Sequence, residues 1–484
     1  MRNNYYLSLV LLGVTLFSCT NESTNEFTSD KKKIELTKNE VLSIAWDDAK
    51  ELSDKDLLDI VGSFSAMENN GTTRSNATSL KITKRTYINK EGEFDKQALA
   101  SRAAHAKDDI ISEICEVEFN NKTAKGKAVV ATNAQLPSVL AYIPNIGNES
   151  VMEQSGANEL LHASKASYLY RVTKTKELVD SLKLPTLQKI SKELQIPINE
   201  ITYDKIKDYI VLTDASNAST RVTAVQGQPA GIAKLSSSID PYIKTNWGQD
   251  EPYNGCFSWD EKKVDWVRTG SNGKTKKAVP VGCVNVAIAQ LMGYTHLRVY
   301  HPLIFHFPGA PATHTFQPDF FRMTAKPTIQ EVPGAGADHI KYLMFDLYDI
   351  NKTTSQKAQD GAVIGSEVSE ENMLNTMNKY FKYNPKSAFN GDQVWASLRN
   401  KNPILMLTKD HAFIISGILI TEKSSQTRQL VKTNDVYWHA NFGWADAATG
   451  YYQLDHNANT YFEANGTKEW CYKNDCIKNI RAID

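Results

Sequence analysis

The sequence predicts an α+β protein whose C-terminal half packs a cysteine-bearing helix against an antiparallel, partly barrel-like sheet. Three observations predict it. Residues Ser79 to Pro144 carry hydrophobicity of period two between flanking stretches of helical period. Pro280 and Gly282 then interrupt the chain just before Cys283, after which Val284, Ala287, Ile288 and Leu291 recur at helical spacing. The last hundred or so residues alternate short apolar strands with turns, which favours an antiparallel sheet.

Taken in order, the chain starts with Arg2 and an apolar run from Tyr6 to Phe17, too short to span a bilayer as a mature helix. Leu16-Phe17-Ser18-Cys19 resembles the lipobox of bacterial lipoproteins, which implies a signal peptide over 1–19 and lipidation of Cys19. A plain secretory signal is the alternative. Residues 20–33 have little to bury and read as a tether. Thr37 and Glu40 form a capping-box pair ahead of a helical face made by Val41, Ile44, Ala45 and Leu52. Strands are expected at Leu80–Thr83, Thr86–Ile88, Ile114–Phe119, Ala128–Thr132 and Ser138–Ile143, with a turn at Asn120-Asn121. Helices are expected over about 158–182 and 187–194. Small polar residues with Gly and Pro over 214–238 mark an exposed linker, and the main boundary is placed there.

In the second half, 239–484, residues 295–333 read as a long loop with six prolines and with His296, His301, His306 and His314. None of these histidines has helical i,i+4 ligand spacing, so a metal site is not expected. Helices return around Ile340–Leu347 and Glu370–Phe381. Strands follow at Ile404–Leu407, His411–Ser416, Val436–Asn441 and Gly450–Leu454.

Composition narrows the function. With 55 basic and 55 acidic residues the chain is formally neutral, so nothing points to nucleic acid. The six cysteines, Cys19, Cys115, Cys256, Cys283, Cys471 and Cys476, show no metal-knuckle spacing. Cys471 and Cys476 are free to pair with each other or either with Cys256, and the sequence leaves the pairing open.

A thiol on the first turn of a helix sits among unpaired N–H groups at the positive end of the helix dipole, which favours the nucleophilic thiolate. The same pattern also suits a small buried hydrophobe. Thiol catalysis further needs an imidazole, a group fixing its tautomer and donors for the oxyanion. His411 follows the Thr408-Lys409-Asp410 turn and opens an apolar strand. Asn441 ends a later strand just before Phe442-Gly443-Trp444, where aromatic rings can shield an amide–imidazole bond. His439 shares a strand face with Asn441 and is a rival base on pattern alone.

Four segments together resemble the streptopain family of papain-like cysteine peptidases. They are Ile243–Gln249 with Pro252-Tyr253-Asn254; Gly282-Cys283-Val284 with Ala287, Ala289-Gln290 and Met292; His411–Ile414 with Gly417; and Trp438–Trp444 followed by Gly450-Tyr451-Tyr452. Lys127–Thr132 and Leu136–Tyr142 look like part of the family's inhibitory propeptide. Phe442 stands where the family usually has Trp, and Thr408-Lys409-Asp410 where relatives tend to carry glycines.

The resemblance implies a papain-like catalytic domain over 239–484 behind an α+β pro-domain over 34–213 that acts as the chain's own inhibitor. It implies Cys283 as nucleophile, His411 as proton partner, Asn441 as the group orienting His411, Gln249 in the oxyanion hole, and Trp444 with Phe442 as an aromatic wall. His439 falls at a non-catalytic position. Protein or peptide substrates are implied, with no metal or organic cofactor, cleavage in 214–238 for activation, and a lipid anchor holding the protein at the cell envelope. Two alternatives remain: an inactive surface-binding lipoprotein, and a transglutaminase-like acyltransferase with Asp435 or Asp446 as the third group.

Overall fold

The computed structural model describes residues 33–48, 51–68, 77–89, 92–94, 112–121, 124–147, 156–213, 234–269, 273–296, 304–306, 315–422, 435–454 and 474–483. The expected signal peptide, Cys19, residues 20–32 of the tether, Cys471, His301 and His314 lie outside them. Among the described residues, no helix is long and apolar enough to cross a membrane. Cys115, Cys256, Cys283 and Cys476 are free thiols.

The N-terminal strands are β1 (Ile34–Leu36), β2 (Ala77–Asn89), β3 (Gly92–Phe94), β4 (Ser112–Asn121), β5 (Ala124–Ala131), β6 (Ser138–Ile143) and β7 (Ile210–Leu212). They are followed by β8 (Lys234–Ile239), β9 (Val264–Thr269), β10 (Gly273–Ala278), β11 (Phe305–His306), β12 (Thr315–Phe316), β13 (Thr354–Lys357) and β14 (Val363–Glu367). The C-terminal set is β15 (Phe381–Ala388), β16 (Ile404–Leu407), β17 (Ala412–Glu422), β18 (Asp435–Asn441), β19 (Gly450–Gln453) and β20 (Asp475–Ala482).

Among the described residues, twelve strands make one sheet in the order β15-β20-β16-β17-β18-β19-β6-β5-β4-β2-β3, with β8 added on β17. The N-terminal and C-terminal regions, read from sequence as separate units, therefore share a sheet. The junction is antiparallel, with Tyr451 opposite Tyr142 and Tyr452 opposite Ala141. Every residue of β6 and of β19 is buried, so each strand needs neighbours on both edges and cover on both faces. The two regions also share cores. Leu140, Leu160 and Leu169 join Phe413, Trp438 and Tyr452 in one cluster, and Phe64, Phe119 and Tyr142 join Leu419, Tyr437 and Tyr451 in another.

Period-two alternation assigns the faces of the central strands. Phe413 and Ile415 of β17, with Ile404 and Met406 of β16, turn towards the N-terminal region. Ala412 and Ile414, with Leu405, turn the other way onto Val286, Ile288 and Leu291 of the helix Cys283–Thr295. A sheet carrying His411 at the mouth of β17 is thus packed directly on the helix carrying Cys283.

The Thr37/Glu40 capping box is present at the helix Lys38–Ala45. The two helices expected near 158–182 and 187–194 are a single helix, Gly156–Leu194, with Pro185 inside it. An interior proline costs a helix about 3 kcal/mol, and burial of Val179, Thr186 and Ile190 around it offsets that cost. The expected linker 214–238 overlaps β8: Lys234 to Ile239 pair with Glu422 to Ile418. Its remainder, 214–233, lies outside the described residues. The long loop expected over 295–333 contains β11, β12 and the short helix Phe320–Met323 among its described residues.

Candidate active site

Cys283 opens its helix behind Gly282, whose φ of +94° favours glycine. The approach to the helix is fixed by three hydrogen bonds. Val281 N–H donates to the Gln249 carbonyl at 2.9 Å, Ser366 Oγ to the Pro280 carbonyl at 2.6 Å, and Asn285 Nδ2 to the Val281 carbonyl at 2.7 Å. Asn285 is fully buried and in turn accepts from Asn351 Nδ2 at 2.7 Å. The Cys283 N–H lies in the first turn, where N–H groups lack a carbonyl partner within the helix.

His411 stands at the end of the β16–β17 hairpin. The hairpin closes without glycine because Thr408 Oγ1 accepts from His411 N–H, and Thr408 N–H donates to the His411 carbonyl at 2.9 Å. The imidazole faces the Cys283 sulfur closely enough for their charges to couple, and its Nε2 lies 2.9 Å from the Phe442 carbonyl. A carbonyl can only accept, so Nε2 carries a hydrogen and Nδ1 is left to exchange a proton with the thiol. The Ala412 N–H also donates to Cys283 Sγ, at 3.4 Å.

The electrostatics favour a thiolate–imidazolium pair. Burial pushes the Cys283 thiol up, but the His411 charge and hydrogen bond, with the N–H groups of Ala412 and Val284, bring it below the ordinary thiol value. Burial pulls His411 down, but Cys283, the Phe442 carbonyl and Glu159 bring it above the ordinary imidazole value. Aromatic rings enclose the pair: Trp444 lies 4.6 Å from the His411 ring centroid, and Phe442 stacks on Trp444 at 5.1 Å.

Asn441, which the resemblance implied as the group orienting His411, makes its hydrogen bonds to other partners. Its Nδ2 donates to the Thr245 carbonyl at 2.8 Å and its Oδ1 accepts from Gly443 N–H at 3.1 Å. The extended strand ends at Asn441, so its short amide turns back along its own backbone, and the Phe442 carbonyl takes the place at Nε2. Gln249 lies on the Cys283 side of the site, half-buried, with its carbonyl on Val281.

His439 sits opposite Tyr451 on β18, its ring 5.1 Å from that tyrosine, and burial lowers it to about 3. It is a neutral packed ring rather than a base. The two aspartates considered as third groups are engaged elsewhere: Asp435 with Arg171 at 2.9 Å, and Asp446 with Asn246 Nδ2 at 2.8 Å. Among the described residues, no group of His, Cys, Asp and Glu is arranged to hold a metal.

The sequence reading did not identify Gly156. A Cβ there would lie 2.9 Å from both Cβ and Cδ2 of His411, so the Gly156–Leu194 helix begins directly on the imidazole. The only available signal was a glycine next to a helix start.

Residues 247–452 match the Peptidase C10 family. No curated protein sequence matches the chain. Among solved structures, a fragment of Prevotella intermedia prointerpain A is similar at 15% identity, covering 76% of this chain and 96% of that one with a TM-score of 0.39. Active wild-type interpain A cysteine protease from Prevotella intermedia is similar at 17% identity, covering 51% of this chain and 97% of that one with a TM-score of 0.31. Residues 247–452 thus carry this chain's similarity to the Peptidase C10 family, the streptopain family of cysteine peptidases.

Proposed function

We propose that the chain is the zymogen of an exported, lipid-anchored cysteine endopeptidase in which Cys283 attacks the peptide carbonyl. The observation that carries the reading is the His411 imidazole held at the Phe442 carbonyl while the Ala412 N–H donates to Cys283 Sγ, on the segment that matches the peptidase family. In the acylation step the thiolate adds to the carbonyl carbon, and Gln249 with the Cys283 N–H stabilises the oxyanion. His411 gives its Nδ1 proton to the leaving amine. Water, deprotonated by His411, then cleaves the thioester and restores the thiol.

Residues 34–213 act as the pro-domain. Gly156 and Glu159 at the start of their long helix stand against His411, which supports a latent precursor. Activation needs a cut in the 214–233 stretch, upstream of β8. The signal peptide over 1–19 and Cys19 as the lipidated residue supply export and anchoring to the cell envelope.

Expression of the chain without residues 1–33, in wild-type and Cys283→Ala forms, tests the reading. Self-processing and release of new N-termini from casein are expected only with Cys283 present. Incorporation of amines into casein without new N-termini would identify an acyltransferase instead, and an inert Cys283 would identify a binding protein. N-terminal sequencing of the active form is expected to place the start within 214–233.

A further inference from the structure

We propose that Gln290 is a positioning residue for the peptidase reaction, acting on His411 through Asn441 and the Phe442–Gly443 peptide group. The inference rests on the reading of Cys283 and His411 as the reacting pair. Gln290 is fully buried on the same helix as Cys283 and two turns further on, so both lie on one helix face. Its Oε1 accepts from Trp247 N–H at 3.2 Å and from Asn441 Nδ2 at 3.3 Å, and its Nε2 faces Asn441 Oδ1 at 3.4 Å.

Backbone partners fix the direction of every bond in this chain. Trp247 N–H can only donate, so the Gln290 atom facing it is the oxygen and the other is the NH₂. In Asn441, the Thr245 carbonyl demands Nδ2 on one side and Gly443 N–H demands Oδ1 on the other. The Gly443 N–H belongs to the same peptide group as the Phe442 carbonyl. In a trans peptide the two point in opposite directions. Asn441 therefore holds one end of the peptide group whose other end holds His411 Nε2.

The relay runs Gln290, Asn441, Gly443 N–H, Phe442 carbonyl, His411. Each bond polarises the next, so the carbonyl is a better acceptor for an imidazolium than an isolated one would be. Gln290 has a second arm. Through Trp247 N–H it ties the same clamp to the irregular segment leading to Gln249, whose carbonyl holds Val281 next to Cys283. One buried amide thus links the nucleophile helix, the proposed oxyanion segment and the turn that orients the base.

The test uses the full chain, cleaved in the 214–233 stretch and uncleaved, with Gln290→Met, Gln290→Glu and Gln290→Met/Asn441→Ala variants. In Gln290→Met, kcat on a short peptide is expected to fall about 10- to 100-fold, the scale of misplacing a reacting group, with KM nearly unchanged. The alkaline limb of the pH–rate profile and of Cys283 alkylation by iodoacetamide should move to lower pH, because His411 loses support for its charged form. Protonated Gln290→Glu carries both an acceptor and a donor, so its rate should recover towards wild type as the pH falls. The double variant should lose little beyond Asn441→Ala alone.

A Gln290→Met protein that melts lower yet superimposes on wild type in kcat and in both pH profiles would overturn the proposal. If Gln290→Met does not fold, Gln290→Glu decides alone: a rate that does not recover on acidification overturns it. Cys283→Ala is run alongside, and residual turnover in that variant would refute the assignment of the reacting pair rather than the relay.

Discussion

His411 Nε2 lies 2.9 Å from the Phe442 carbonyl oxygen, so a main-chain acceptor, not a side chain, fixes the tautomer of the imidazole that meets Cys283. The identity of the residue at 442 then matters through its ring and not through the bond. Phe442 is fully buried against Trp444 and Phe413. Phe442→Trp keeps carbonyl and aromatic cover alike and is expected to retain most of the activity. Phe442→Ala opens the stack, removes a ring whose loss from a core costs about 3–5 kcal/mol, and admits water to the bond. Thermal melts with peptide turnover measure the two effects separately.

The opposed shifts of the reacting pair set a pH window. The Cys283 thiol is lowered and His411 raised, so the ion pair forms as pH rises through the lowered thiol value and is lost as pH rises through the raised imidazole value. Cys283 alkylation in the cleaved enzyme should therefore show an acid limb below the ordinary thiol range. In His411→Ala that limb should move up, because burial then acts on the thiol without its partner. Stopped-flow alkylation across pH reads both.

Gly156 offers a direct test of latency. A side chain there meets His411 Cβ and Cδ2 at 2.9 Å, so the helix start or the imidazole must shift. Gly156→Val is expected to loosen the cover in the uncleaved chain, which should react with iodoacetamide several-fold faster than the wild-type precursor. Once cleaved, both should react alike. Equal rates in the uncleaved forms would show that this contact does not limit access.

Gly443 carries φ of +72°, and a Cβ there would lie 2.9 Å from Val286 Cγ1. Gly443→Ala is expected to cost about 1–2 kcal/mol for the left-handed backbone alone and to rotate the Phe442–Gly443 peptide away from His411. Adding Val286→Ala should relieve the clash but not the backbone term. The double variant should therefore recover part of the melting temperature and little of kcat.

How far the sequence revealed this molecule depends on the scale of the interaction. The helix that opens at Cys283 and the strand that follows His411 were legible because their periodicity is local: Val284 to Leu291 for the helix and Ala412 to Ser416 for the strand. Ser138–Ile143 was legible as a strand for the same reason. So was β19, expected over Gly450–Leu454, but its pairing with β6 was not, because setting Tyr142 opposite Tyr451 spans most of the chain and leaves no periodic trace. Asn441 was expected to orient His411, and its amide bonds the Thr245 carbonyl and the Gly443 N–H. Residue pattern reveals an amide but not which way it turns, and here the main chain supplies both the acceptor for His411 and the donor for Asn441.

The shared sheet also makes a prediction about how the two regions hold together. Arg171, on the long N-terminal helix, pairs with Asp435 of β18 at 2.9 Å, with the aspartate side chain only 1% exposed. Ser138 of β6 reaches Asp435 at 3.4 Å and Gln453 of β19 at 3.1 Å, so this polar group bridges the β6–β19 junction. Removing one member of a buried pair strands the other charge, at a cost of about 3–5 kcal/mol. Arg171→Met in a Cys283→Ala background, where self-cleavage cannot intervene, should lower the denaturation midpoint accordingly. Arg171→Met/Asp435→Leu should restore much of it, since an apolar pair of similar volume leaves no charge behind. After cleavage by an added protease, the Arg171→Met form should release its N-terminal segment on gel filtration more readily than the parent. Co-elution of the two pieces to the same extent in both would mean that the apolar contacts around Tyr142, Tyr437 and Tyr451 hold the junction without the ion pair.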